Sequence, residues 1–303
     1  MIQGLSYERL LEISKRVNWR IEDIIGDDKP MDFSKPFLPE SFARTASLDF
    51  LSPAERLKLN QIRAFVYLAM FELVERCILP VIEDLAPPKP GQDPFRSAAL
   101  GQFATEEAKH IELFVRFRRA FVEGFDVDCR FIGPADVIGA AIRAHSRLGL
   151  ALFVLGIEWS TQRHYVESVQ DDQDLDPQFK SLLKHHWMEE SQHAKLDALV
   201  FQELAARASP EQIDQAIDDF LDIGGFIDGG LAQQATLDLA SLEAAIGRKL
   251  SDAETAVFTP AQHQAMRWTF IGSALRNEGF LKAVGEVTPS GRARLESVAP
   301  AFS

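Results

Sequence analysis

The stretch His186-Trp187-Met188-Glu189-Glu190-Ser191-Gln192-His193 contains two imidazoles and a carboxylate at the spacing of metal ligands. On an α-helix, His186, Glu190 and His193 fall within roughly 60° of one another around the axis. A narrow stripe of that composition is how a helix presents a divalent metal with donors. Glu107-Ala108-Lys109-His110 repeats the Glu-x-x-His part of the pattern earlier in the chain. Either piece alone is a weak signal, since about one Glu-x-x-His arises by chance in a chain of this composition.

Two lone glutamates strengthen it. Glu72 lies 35 residues before Glu107, and Glu158 lies 32 residues before Glu190. Turns centred near Pro90 and Asp174 would fold each pair into an antiparallel hairpin. Residues equidistant from such a turn sit at one height, because a helix rises about 1.5 Å per residue. Both hairpins therefore bring a lone Glu level with a Glu-x-x-His. Glu72 stands within Ala64-Phe65-Val66-Tyr67-Leu68-Ala69-Met70-Phe71, and Glu158 directly follows Leu150-Ala151-Leu152-Phe153-Val154-Leu155-Gly156-Ile157. A carboxylate buried in such a face without a partner costs on the order of several kcal/mol, and a bound cation removes that cost. Four carboxylates balance the charge of two divalent ions. Glu and His are the donors expected for iron or manganese, with bridging carboxylates holding two ions roughly 3.5–4 Å apart.

Some positions stay open. Glu75 shares a face with Glu72 and is the alternative first ligand, the spacing favouring Glu72. Glu106 and Glu189 sit four residues before His110 and His193, so each Glu doublet is ambiguous; the matching pattern favours Glu107 and Glu190. His186, with Glu190 and His193 on its face, is read as a ligand. His185 is an edge residue, and His145, His164 and His263 are ordinary polar residues. Phe103 and Leu155, one turn before Glu107 and Glu158, are placed to line a pocket for a flat apolar body.

The elements that must position these groups are all helical. Residues 1–52 read as an irregular arm, with a short helix over 7–25, a Pro- and Asp-rich stretch and a candidate oligomer contact. Ser52-Pro53-Ala54-Glu55 starts a helix, which Pro80 should end or kink. A second helix spans about 93–124. After a loop to Pro134 comes a crossover helix, separated near Gly149 from a helix over 150–170. The helix carrying the opening stretch runs from Pro177 to about Arg207, and 53–207 is the candidate metal-binding bundle. Further helices fill 208–303, one starting at Ser209-Pro210, broken around Gly224-Gly225 and Gly229-Gly230, and a last one spanning 260–284. No strand-period alternation occurs. The expectation is one all-α domain of 303 residues.

Composition excludes several classes. A net charge of −13 does not suit a nucleic-acid surface. No apolar run approaches the roughly 20 residues that span a bilayer, and the first twenty residues lack the pattern of a signal peptide, so the expected compartment is the cytoplasm. Cys77 and Cys129 form no Cys-x-x-Cys motif, and no dinucleotide or Walker fingerprint is present.

Glu, Glu-x-x-His, Glu, Glu-x-x-His on a helical bundle is similar to the ferritin-like di-metal carboxylate pattern. The form His-x-x-x-Glu-x-x-His, as in His186, Glu190 and His193, resembles the p-aminobenzoate N-oxygenase family of di-iron enzymes, over about residues 50–205. That resemblance implies a ferritin-like four-helix bundle with additional N- and C-terminal helices. It implies the ligands Glu72, Glu107, His110, Glu158, His186, Glu190 and His193, two iron ions per chain with manganese as the alternative, and oxidation of an amine by O2. The resulting expectation is a homodimeric oxygenase acting on a small organic substrate with an external electron donor or reductase. A ferroxidase or iron-binding ferritin-like protein without an organic substrate is the alternative.

Overall fold

The computed structural model describes residues 6–26, 28–88 and 91–303, so the expected turn centre at Pro90 lies outside the described residues. The arm contains three short helices, α1 (Tyr7–Ser14), α2 (Ile21–Ile24) and α3 (Glu40–Ala43). Between α2 and α3 its backbone is irregular, and side chains satisfy it. Asn60 accepts from the N–H groups of Phe37 and Leu38 at 2.8 and 3.1 Å and donates to the Leu38 carbonyl; Gln61 donates to the carbonyls of Phe33 and Lys35.

The bundle consists of two helix hairpins. In the first, α4 (Pro53–Leu85) packs along α5 (Arg96–Gly124). In the second, α7 (Arg147–His164), extended by a π-helical turn at Tyr165–Val169, packs along α8 (Pro177–Ala205). The crossover between the hairpins carries α6 (Ala135–Arg143), which lies on α4. Two helix pairs joined by one long crossover are the ferritin-like arrangement.

Local chemistry explains the starts of these helices. Ser52 Oγ accepts from Glu55 N–H while the Glu55 carboxylate accepts from Ser52 N–H, a reciprocal capping box with Pro53 at the first helical position. Asp176 caps α8 by accepting from Phe179 N–H at 2.6 Å, followed by Pro177. Ser146, not Gly149, begins α7. Gly149 lies inside that helix, and a Cβ there would stand 2.5 Å from the Asp219 side chain of the next layer, which is what glycine serves at this position.

That layer is α9 (Pro210–Ile246), which packs on α7 and α4 and ends at Gly247 in the left-handed conformation, φ 69°. After it come α10 (Asp252–Arg267), a π-helical turn at Trp268–Gly272, α11 (Ser273–Leu275), α12 (Glu278–Val287), α13 (Pro289–Val298) and a 3₁₀ turn at Ala299–Phe302. Among the described residues there is no strand, and no helix is long and apolar enough to cross a membrane.

Three expected boundaries are corrected. Pro80 does not end α4, because Cys77, Ile78, Val81, Ile82 and Leu85 are buried around it. The one hydrogen bond that proline removes is outweighed by that burial. The diglycines do not break α9, whose Ile223, Leu231 and Ala235 are buried on both sides of them. The expected helix over 260–284 is several elements: Ser251 and Glu254 form a capping box that starts α10 earlier, with Pro260 inside it.

Candidate metal centre

Each bundle helix sends a carboxylate inward at one level: Glu75 from α4, Glu107 from α5, Glu158 from α7 and Glu190 from α8. His110 comes from α5, and His186 and His193 from α8. All seven are buried. Glu190 stands at the middle: its Oε1 lies 3.0 Å from His110 Nδ1 and 2.7 Å from His186 Nε2, and its Oε2 lies 3.0 Å from His193 Nδ1. Glu107 Oε1 is 3.0 Å from His193 Nδ1, and Glu75 Oε1 is 2.9 Å from His186 Nε2. Donor atoms form two overlapping quartets, Glu75–His110–His186–Glu190 and Glu107–His110–Glu190–His193, each with its atoms within 4.8 Å of one another.

The expected ligand Glu72 is not in this cluster. Its carboxylate accepts from Arg76 Nε at 3.1 Å and faces Arg118 Nη1 at 3.2 Å, and Glu75 stands in its place. The two positions differ by three residues, less than one turn. Equidistance from a turn fixes height only to about that precision, and the arginines that hold Glu72 aside come from α4 itself and from α5.

Behind the histidines lies an outer ring that the Glu doublets foreshadow. Each doublet sends one glutamate inward and the other to the far nitrogen of a histidine on the opposite hairpin. Glu189 Oε2 accepts from His110 Nε2 at 2.7 Å, and Glu106 Oε2 accepts from His193 Nε2 at 2.8 Å. Both imidazoles are thereby turned so that Nδ1 faces the cluster. The arm and α5 together complete the ring. Ser14 Oγ and Gln102 donate to Glu106; Lys109 pairs with Glu189 beneath the ring of Trp19, which stacks on His110 at 5.9 Å. The sequence gives no signal for Ser14 or Trp19, which reach the centre from another element.

Protonation follows from the crowding. Burial disfavours the charged forms of His110 and His193, but Glu190 and the outer glutamates outweigh it and hold both well above the ordinary histidine value. The same contest raises His186 to about 9. Burial pushes Glu75 up to about 8, with His186 opposing, while burial together with Glu190 and Glu107 holds Glu158 well above the carboxylate range. Glu190 goes the other way: burial raises it, but His186 and His193 pull it well below. The cluster keeps protons where cations can take their place. Several of these atoms make no well-aligned hydrogen bond and face only other members of the cluster: both oxygens of Glu107, one each of Glu75 and Glu158, and His110 Nδ1. Buried donors that converge on one point, all of metal-ligating types, fit a pair of divalent ions.

Neighbouring groups behave differently. Asp197, one turn beyond His193, is buried with one oxygen unpaired, and burial holds its carboxyl well above the ordinary value. His164 Nε2 donates to the Thr269 carbonyl at 2.8 Å, so its Nδ1 accepts from the Tyr67 hydroxyl at 3.2 Å. Phe103 packs on His193 with ring centroids 4.0 Å apart and borders only a crevice of about 10 Å³, and Leu155 is fully buried. Neither is among the lining residues of the larger cavity between α4, α6 and α9.

No protein-family model and no curated protein matches the sequence. Among solved structures, two variants of an R2-like ligand-binding oxidase with an anaerobically reconstituted Mn/Fe cofactor are similar, at TM-scores of 0.48 and 0.47 and 16% identity, over 88% of this chain and 94% of theirs. A further variant with a non-activated Mn/Mn cofactor aligns at 0.46 and 15%, with the same coverage.

Proposed function

We propose that the chain is a non-haem di-iron oxygenase, with manganese as the alternative metal, that oxidises a small organic amine with O2. The observation that carries the metal reading is the convergence of buried donor atoms from Glu75, Glu107, His110, His186 and His193 around a central Glu190. Glu75, Glu107, Glu158, Glu190, His110, His186 and His193 would hold the ions. Bound there, the metals supply the redox chemistry for activating O2.

The chain's own residues set the conditions. Glu189 and Glu106 fix the tautomer and the orientation of His110 and His193. Phe71 and Phe114 pack against the His186 ring and exclude water from that side. Asp197 is placed to hold a proton beside the cluster. Conversion of an arylamine to its hydroxylamine takes one atom of O2; the other leaves as water with two electrons and two protons. The sequence carries no nucleotide or flavin fingerprint, so an external reductase is the proposed electron source. The arylamine itself is supported by the His-x-x-x-Glu-x-x-His resemblance.

The test is metal analysis followed by reaction of the reduced protein with O2 and a panel of aminoarenes. About two metal ions per chain are expected, with Glu75→Ala and Glu190→Ala losing most of the metal and Glu72→Ala retaining it. Hydroxylamino or nitro products should appear. A folded protein that takes up no more than one ion after reconstitution sinks the di-metal reading. Repeated oxidation and retention of ferrous ions, with no amine consumed, makes it a ferroxidase.

A further inference from the structure

A chamber of about 480 Å³ lies against the outer side of α4, between that helix, the crossover helix α6 and the middle of α9. Met70 and Val74 form its floor, Val137 and Ile138 one wall, and Gly225 and Gly229 the other. None of its lining residues is Asp, Glu, Lys, Arg or His, and the polar side chain among them is Gln233. A smaller space of about 30 Å³ shares Met70, Val74 and Ile227 with it and reaches Phe71 and Ile157. Phe71 presents its ring edge-on to His186 at 5.5 Å between centroids, and Ile157 directly precedes Glu158. The smaller space thus links the chamber towards the cluster, with the Phe71 ring standing between it and His186.

Two independent features mark this space as kept open. Glycine inside a helix is unfavourable relative to alanine, yet a Cβ at Gly225 or Gly229 would meet nothing within 4 Å. Packing therefore does not require glycine at either position, in contrast to Gly149, and both positions border the chamber. The second feature is the rim: Val137 and Phe226 are 58% and 46% exposed, large apolar side chains left uncovered at the entrance.

We infer that this chamber is the substrate site of the centre and that it takes an uncharged, apolar molecule of the size of a substituted arene. The inference rests on the reading of the cluster as an oxygenase centre and specifies its substrate class. An ionised carboxylate or ammonium inside would find one amide, that of Gln233, and no counter-charge, which is costly away from water. A neutral arylamine meets apolar walls and one hydrogen-bonding group, the composition typical of small-molecule pockets. A benzoate-bearing amine would have to leave its carboxylate at the exposed rim or bury it without a counter-charge.

Calorimetric titration of the full chain, metal-loaded and metal-free, with p-toluidine and with 4-aminobenzoate tests this. One p-toluidine should bind per chain in both forms, and 4-aminobenzoate should bind at least about tenfold more weakly. Gly229→Leu should weaken p-toluidine at least about tenfold by filling the space, with metal content and helicity unchanged. Gly225→Leu is the second filling variant should the first fail to fold. Gly101→Leu, on an exposed face of α5 with equally open space, is the control and should change nothing. Equal binding of the two ligands, or p-toluidine binding untouched by both fillings, overturns the inference. So does a sedimentation result in which the fillings alter self-association but not p-toluidine binding, because the face is then a contact between copies. Binding to metal-free protein is independent of the centre, so a chain that takes up no metal would fail the oxygenase reading without touching this result.

Discussion

Glu189 carries its charge in a place where only hydrogen-bond shape is needed to orient His110, but charge is needed to raise the basicity of that imidazole. Glu189→Gln should keep the helix and the contact to His110 and lose the charge; chelator competition is expected to show metal affinity down about 10–100-fold. An unchanged affinity would reduce Glu189 to a packing group. At this scale the sequence is legible by face and less so by turn. Helical periodicity picks out the inward stripe of α8 and the Glu-x-x-His of α5, while Glu72 and Glu75 differ by under one turn on one face. Arg118, eleven residues beyond Glu107, decides between them by holding Glu72 aside. The doublets carry a similar lesson, because both members are used and only the partner across the bundle tells which is inner.

Along the elements, α9 is fastened to α4 by a buried ion pair. Arg63 Nη1 donates to Asp238 Oδ2 at 3.2 Å with both side chains 1% exposed, and Gln234 donates to the same carboxylate. Burial pushes Arg63 down and Asp238 up despite their pairing, the mark of charges held at a desolvation cost. Asp238→Ala leaves the guanidinium buried alone and should cost about 3–5 kcal/mol in urea unfolding. The double variant Arg63→Met/Asp238→Leu should recover most of that. A single variant as stable as the parent would show that water reaches Arg63. Punctuation residues misled at this scale for a common reason. Pro80 and the diglycines of α9 are local penalties, and the residues buried on either side of them belong to contacts that a window of sequence does not contain.

For the molecule as a whole, the four-helix arrangement is legible in the helix starts at Ser52-Pro53 and Pro177 and in the level matching of the two hairpins, whereas the Ser146 cap that starts α7 is not read from sequence. The packing of α1 and of residues 15–20 against the centre is invisible to periodicity, because it depends on where an irregular arm returns. The same long-range packing makes His164 an acid-sensitive tie between α4, α7 and the π-helical turn after α10. Burial holds it at about 3, against an ordinary value of 6.5. Above about pH 6.5 it is neutral in both folded and unfolded chains and its contribution is complete. Between about 6.5 and 3 the unfolded chain takes up a proton that the folded one refuses, so stability falls as the pH is lowered. The cluster carboxyls Glu75 and Glu158 titrate with the opposite sign over this range, so the His164 part is read as a difference: the stability gap between metal-free parent and His164→Gln should shrink from pH 7 to pH 5, by up to about 1.4 kcal/mol per pH unit. His164→Gln should be less stable at pH 7 and lose that part of the slope; an identical slope would place the sensitivity elsewhere. The exchange of glutamates across the centre has a consequence for biosynthesis. A nascent chain that has emerged only as far as Gln170 carries Glu75, Glu107, His110 and Glu158, but neither the central carboxylate nor Glu189, which orients His110. On the proposed ligand set, neither metal position is complete until translation has passed Glu190, because both quartets share it.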